Sequence, residues 1–327
     1  MTTKLGVRRI LVVASGLLAM LLVALWAPQA RATDIPLGTA ADYSVLFTGP
    51  GNPSPSTLTI TNVTVDGNVG VGLTGTGNVM FSGTGTINGE LDFSGKNAGQ
   101  FTNTNPFNVG PTSVNYSDPA VTSAFSAVDS LNLSLTGIPG TSLAINGTQT
   151  INESAGTLET IGGVTYRVFN VTSYSEGNGN LVTIVGDGSG DPVVFNFSAS
   201  VLGNVNLGGD VSLTGGLTDD QILWNFTGHG TTSKPASLTL NNDNSLYGLP
   251  DVFQGIILAP GWPVMLDNAN LDGAIFAGDN ANGSLISGDN INVPFTSTPE
   301  SSTLSLLITA LFGIVGLATW RKRAYQA

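Results

Sequence analysis

Cysteine is absent from the 327 residues, and histidine occurs once, at His229. Without thiols the chain has no disulfide staples, so its stability must rest on an apolar core. A single histidine excludes a multi-histidine metal site and leaves a Ser-His-Asp arrangement without a spare base. Flanked by Gly228 and Gly230, it reads as an exposed loop residue. Basic residues are scarce in the body. Between Thr33 and Thr298 only Lys96, Arg167 and Lys234 stand against 21 of the 22 acidic residues, a net charge near -18. Such a surface repels nucleic acid and anionic lipid, so nucleic acid is excluded as a partner. The shortage of Lys, Arg and Glu also removes the usual builders of helices.

What remains is a β composition: Gly, Asn, Thr, Ser and Asp between short clusters of Val, Ile, Leu and Phe. Apolar residues alternate in Leu58-Thr59-Ile60, Val63-Thr64-Val65, Leu91-Asp92-Phe93, Val193-Val194-Phe195-Asn196-Phe197, Val205-Asn206-Leu207, Val211-Ser212-Leu213 and Leu238-Thr239-Leu240. Many of these runs are three residues long and end at Gly or Asn, which suits the coils of a solenoid better than a β-sandwich, the alternative architecture. An internal repeat points the same way. Residues Ile60 to Val69 align without gaps on Leu266 to Ile275, placing Asp66-Gly67 on Asp272-Gly273; Ile87 to Leu91 and Leu202 to Val205 echo it. Gly67 and Gly89 are 22 residues apart, about one coil of a β-helix. Asp-Gly and Asn-Gly permit the positive φ of a tight corner while flanking aliphatics stack inward.

One segment departs from this pattern. Ser117-Asp118-Pro119 supplies a cap and a first-turn proline. Val121, Ala124, Phe125, Val128, Leu131 and Leu135 then follow at helical spacing. The spacing predicts a helix of about four turns, ending before Gly137, with its apolar face on the β body. A second, shorter helical candidate runs from Thr218 to Phe226, opened by the capping pattern Thr218-Asp219-Asp220-Gln221.

Both ends of the chain read as addresses. Lys4, Arg8 and Arg9 precede the apolar run Ile10 to Ala27, and Ala30 and Ala32 supply the small residues that signal peptidase requires. Residues 1–32 are therefore expected to be a signal peptide cleaved after Ala32; an uncleaved N-terminal anchor is the alternative. At the other end Pro299, Glu300 and Ser301 precede an uncharged run from Leu304 to Trp320, followed by Arg321, Lys322 and Arg323. The run is long enough to cross a bilayer, and the cationic cluster would stay cytoplasmic. This order resembles the PEP-CTERM sorting signal, with Ser301 where a second proline is usual. The resemblance implies an inner-membrane-anchored precursor, with 296–327 as the sorting segment and 304–320 as its transmembrane helix. It also implies processing by an exosortase and a mature form at the cell surface, in the outer envelope or outside the cell.

A further resemblance lies in the body, residues 33–295. Leu37 to Leu46, Leu217 to Phe226, Phe253 to Pro260 and Leu271 to Gly278 are similar to the choice-of-anchor A domains and to the related ice-binding adhesin-like domains. The resemblance implies a right-handed β-helix with one helix alongside, and it carries over no catalytic residue. The segment Gly140 to Gly186 reads as an insertion, which with the sorting tail fits the choice-of-anchor A group better.

The candidate chemistry is sparse. Thr57, Thr59 and Thr61 lie about 7 Å apart on one strand face, a possible ice or ligand surface, echoed at Ser237 to Asn241. Asp187, Ser189 and Asp191 space three oxygens as the first half of a calcium loop does, but Ser198 stands where the bidentate Glu belongs. The pair Asp219 and Asp220 fits helix capping better than glycoside hydrolysis. Neither Arg167 nor Lys234 sits beside an acidic cluster in sequence, as a polysaccharide lyase would want. The expectation is a non-enzymatic surface protein without cofactor, structural or adhesive and associated with exopolysaccharide or another glycan. An ice-binding protein is the alternative, and a polysaccharide-active enzyme the distant one.

Overall fold

The computed structural model describes residues 35–47, 57–72, 78–95, 101–105, 109–177, 179–228, 236–241, 252–267, 269–278, 284–287 and 290–292. The signal peptide with Ala30 and Ala32, the tail with Pro299, Glu300, Ser301, Arg321, Lys322 and Arg323, and His229 and Lys234 lie outside them. All the described residues fall within one unit, Ala32–Thr296.

Successive short strands stack in parallel into three faces, as a β-helix requires, and this rules out the β-sandwich, whose sheets are antiparallel. The first face is an 11-stranded sheet, the second has seven strands, and the third is built from a five-stranded and a three-stranded sheet. Among the described strands all pairings are parallel except one: Thr157–Ile161 runs antiparallel to Val164–Ser175.

Spatial order differs from chain order. On the first face the rungs run Thr141–Asn146, Val164–Ser175, Val193–Ser198, Ile222–Thr227, Ile256–Ala259, Ile275–Ala277, and only then Tyr43–Phe47, Asn68–Val71, Leu91–Phe93 and Val114–Tyr116. The first coil is thus held between the last coil, Val45 opposite Ile275, and the second, Val45 opposite Val69. The aligned segments Ile60 to Val69 and Leu266 to Ile275 are two coils of this stack, Leu266 and Ile60 both pairing with Ile286. At their shared corner Gly67 has φ 120° and Gly273 φ 151°, and Gly89 stacks directly on Gly67. Gly203 is not a further copy of that corner; it ends the short helix Ala199–Leu202 between the first and second faces.

The interior is filled by columns in register. Phe169, Phe195, Trp224, Ile257, Ile275, Val45, Val69 and Leu91 form one of them. Phe169 stacks on Phe195 at 5.3 Å and Phe195 on Trp224 at 4.6 Å, so part of the core is an aromatic ladder.

The helix spans Pro119–Leu135, capped by Asp118, which accepts from Ala120 N. The six apolar residues expected on its inner face are all buried. They pack on Tyr43, Leu46, Val194, Leu223, Leu258 and Phe276 of the first face. An amide ladder fixes the C-terminal end of the helix. Asn132 donates to Asn225 Oδ1 (2.7 Å), Asn225 to Asn196 Oδ1 (2.7 Å), and Asn196 to the helix carbonyl of Leu135 (3.3 Å). Asn196 and Asn225 stand in register on neighbouring strands, so they bond along the stack.

Two expectations need correction. Residues 218–226 do not form a helix of one or two turns: Asp219–Gln221 is a single 3-10 turn, and Ile222–Thr227 is a strand buried throughout. Its aromatic and β-branched residues are buried on both sides of the sheet, which a strand achieves and a short surface helix does not. The segment 140–186 is no insertion outside the repeat, because Thr141–Asn146, Gln149–Asn152, Val164–Ser175 and Leu181–Val185 build the two terminal coils.

Candidate functional site

The second face stacks Asn204–Leu207, Ser237–Leu240, Val264–Asp267, Ser284–Ser287, Thr57–Thr61, Asn78–Ser82 and Phe101–Asn103. Alternation turns Val205, Leu207, Leu238, Leu240, Leu266, Leu58, Ile60, Val79 and Phe81 into the core. The residues between them face outward. By register the central row of positions runs Asn206, Thr239, Met265, Leu285, Thr59, Met80 and Thr102, of which Asn206, Met265, Met80 and Thr102 are exposed. Met265 is 39% and Met80 38% exposed, unusual for methionine in so well packed a body. A flanking row passes through Ser287, Thr61 and Ser82, the last two sharing a hydrogen bond at 2.7 Å.

Thr59 and Thr61 are half-buried on this face, and Thr57 belongs to the same strand. The echo at Ser237–Leu240 falls in the same register, Thr239 in the row of Thr59. Methionine and leucine separate the two threonines, so the threonine ladder is interrupted. The face is also nearly uncharged, since Asp267 is the single ionisable residue in its seven strands. No described helix packs on it; the long helix lies against strands of the first face.

The acidic residues collect elsewhere. Asp187 Oδ2 pairs with Arg167 Nη2 at 2.9 Å and Asp191 Oδ2 lies 3.6 Å from Arg167 Nε. Buried Glu153 accepts from Asp187 N (2.9 Å) and from the Ser189 hydroxyl (2.8 Å). Arg167 thus sits beside an acidic cluster, contrary to the sequence reading. Hydrogen bonds from Ser189, and then Arg167, hold the Asp187 carboxyl below its usual range. Among the described residues no group of three or more His, Cys, Asp or Glu is placed to hold a metal.

Asp219 and Asp220 lie in the 3-10 turn closed by the Thr218–Gln221 capping box. Burial, then the charges of Asp220 and Asp272, push the Asp219 carboxyl up to about 6. Burial also raises Asp92, against the hydrogen bond from Asn115 Nδ2 at 2.7 Å. Sequence reasoning missed the asparagine ladder. Its signal was legible in retrospect: Phe169-Asn170-Val171, Phe195-Asn196-Phe197 and Trp224-Asn225-Phe226 each set an Asn between core residues.

A parallel β-helix with one helix along its first face and a second face on which no described helix packs defines the class. The chain belongs to the family of ice-binding-like adhesive domains, whose model, pAdhesive_15, matches residues 35–294. Among solved structures it shares the fold of an ice-binding protein from an Antarctic bacterium, Flavobacteriaceae. That match has TM-score 0.50 at 15% identity over 84% of this chain and 52% of that one. An ice-binding protein of the Antarctic ascomycete Antarctomyces psychrotrophicus is similar at TM-score 0.49 and 15% identity, covering 81% of this chain and all of that one. The ice-binding protein LeIBP of an Arctic yeast is similar at 0.48 and 17%, covering 83% and 97%. No curated protein matches the sequence.

Proposed function

We propose that this is an exported adhesive protein of the cell surface or extracellular matrix, and that the second face is its contact surface. The low charge and exposed methionines of this face carry the reading. In a body with a net charge near -18, the seven strands of this sheet hold one ionisable residue and expose Asn206, Met265, Met80 and Thr102. A flat uncharged face can lie on an extended neutral polymer without the desolvation and repulsion that carboxylates would bring. The partner is exopolysaccharide or another surface glycan, and no catalytic step is involved.

Delivery follows from the two ends of the sequence. Signal peptidase removes residues 1–32, and exosortase acts on a PEP-CTERM-type signal at Pro299, Glu300 and Ser301, with Arg321, Lys322 and Arg323 behind the membrane segment. On this reading the body is a choice-of-anchor A domain. Ice binding at the same face is the second reading, favoured by the shared register of Thr59 and Thr239 and by the family's ice-binding-like character. Co-sedimentation with the host's exopolysaccharide and thermal hysteresis, measured on one preparation, separate the two. Sedimentation without hysteresis supports adhesion, hysteresis without sedimentation supports ice binding, and neither refutes the assignment of this face.

A further inference from the structure

Glu176 stands out among the buried acids. It follows the strand Val164–Ser175 and forms a parallel bridge with Leu207. Leu207 belongs to an inward column that continues through Leu240, Leu266, Ile60 and Phe81, all buried. Partners in parallel strands point the same way, so Glu176 puts a carboxyl where every neighbouring coil puts Leu, Ile or Phe. The residue is 6% exposed, and neither carboxyl oxygen has a hydrogen-bond partner. The Tyr174 hydroxyl nearby is also buried without a partner. The Gly147 N–H, the amide acting on this carboxyl, is bonded to Ser175 O at 3.2 Å.

Gly209 lies close against Glu176. A Cβ on Gly209 would stand 3.2 Å from Glu176 Oε2 and 3.3 Å from the Asn180 carbonyl oxygen, so both oxygens border the same glycine; the carbonyl accepts from Asp210 N at 3.0 Å and keeps its second lone pair. No charged side chain is among the groups that act on the Glu176 carboxyl, and Arg167 is engaged by Asp187 and Asp191. A buried carboxylate with only a shared backbone amide and no counter-ion is a costly arrangement.

We infer that Glu176, with the Tyr174 hydroxyl and the Asn180 carbonyl, forms a binding site for a hard metal cation at this end of the solenoid interior. Carboxylate, hydroxyl and carbonyl are the oxygen donors that sodium and calcium take, and no soft or nitrogen ligand is present. The cation would lock the terminal coils, coupling the 141–152 and 164–185 strands to Asn204–Leu207.

Thermal melting of the purified full-length protein at pH 8 tests the site, in sodium chloride or calcium chloride against choline chloride at equal ionic strength. A hundredfold excess over Kd should raise the midpoint by about 5–10 °C in one of the metal salts. The rise should be absent in Glu176→Gln and reduced in Tyr174→Phe, which keeps the ring packed on Phe197. Sodium and calcium are distinguished by which salt acts. Calorimetric titration of wild-type protein with the same two salts gives a readout independent of the variants' folding. Identical midpoints in all three salts, with no heat of binding, would overturn the site and leave Glu176 a buried neutral acid.

Discussion

Replacing Gly273 by alanine tests the stacked-corner geometry at one atom. A Cβ there would stand 2.0 Å from Gly255 O and 2.7 Å from Gly255 C, backbone atoms of the neighbouring coil that cannot rotate away. The φ of 151° adds strain of about 1–3 kcal/mol for any L side chain. Relieving the clash means prising two rungs apart, which adds overpacking of about 1–3 kcal/mol. The sum, about 2–6 kcal/mol, corresponds to a fall of roughly 4–24 °C in the melting midpoint of a domain this size. Gly147→Ala is the control, because Gly147 also has positive φ, 67°, but nothing lies within 4 Å of its Cβ position. It should lose about 1–2 kcal/mol from strain alone. Calorimetry of the two variants decides. Equal losses would refute coil-on-coil contact at the corner, and an unchanged midpoint for Gly273→Ala would refute the shared Asp-Gly repeat as a structural unit.

Truncating Phe125 to Ala, on the buried face of the helix, should cost about 3–5 kcal/mol in denaturant unfolding, with exposed Ser126→Ala near neutral. Asn196→Ala breaks the amide ladder, leaves Asn225 and the Leu135 carbonyl short of a partner, and should cost about 1–3 kcal/mol by the same measurement. The raised carboxyls of Asp219 and Asp92 bind protons more tightly folded than unfolded, so stability from these groups is present at acid pH and falls as pH rises. For Asp219 the window runs from the ordinary carboxylate range to about 6, and melting across pH 4–7 should show a shallower decline in Asp219→Asn.

Local features of the fold were legible in the sequence because their physics is local. Pro119 with its apolar spacing fixes the helix and its buried face, and Asp66-Gly67 and Asp272-Gly273 mark one corner because only glycine adopts that backbone cheaply. The order of the coils was not legible. Nothing near Val45 announces Ile275 as its partner, since any aliphatic residue would satisfy a parallel rung. Arg167 lies 20 and 24 positions before Asp187 and Asp191, and coiling alone makes them neighbours. Glu176 looks like a solvated loop acid until its bridge to Leu207 places it inside. Thr57, Thr59 and Thr61 pointed to the second face, but the methionines that interrupt the ladder emerge only from register.

The central claim is that the second face makes the contact, and charged probes on two faces test it most directly. Thr59→Lys and Met80→Lys place a long cation in the middle of the outward row, while Ser126→Lys places the same charge on the exposed side of the helix. Co-sedimentation with exopolysaccharide, and thermal hysteresis where ice is the ligand, should fall at least tenfold for the first two. Ser126→Lys should match wild type, with all three proteins melting normally. Full activity in Thr59→Lys and Met80→Lys, or a loss confined to Ser126→Lys, would contradict the account.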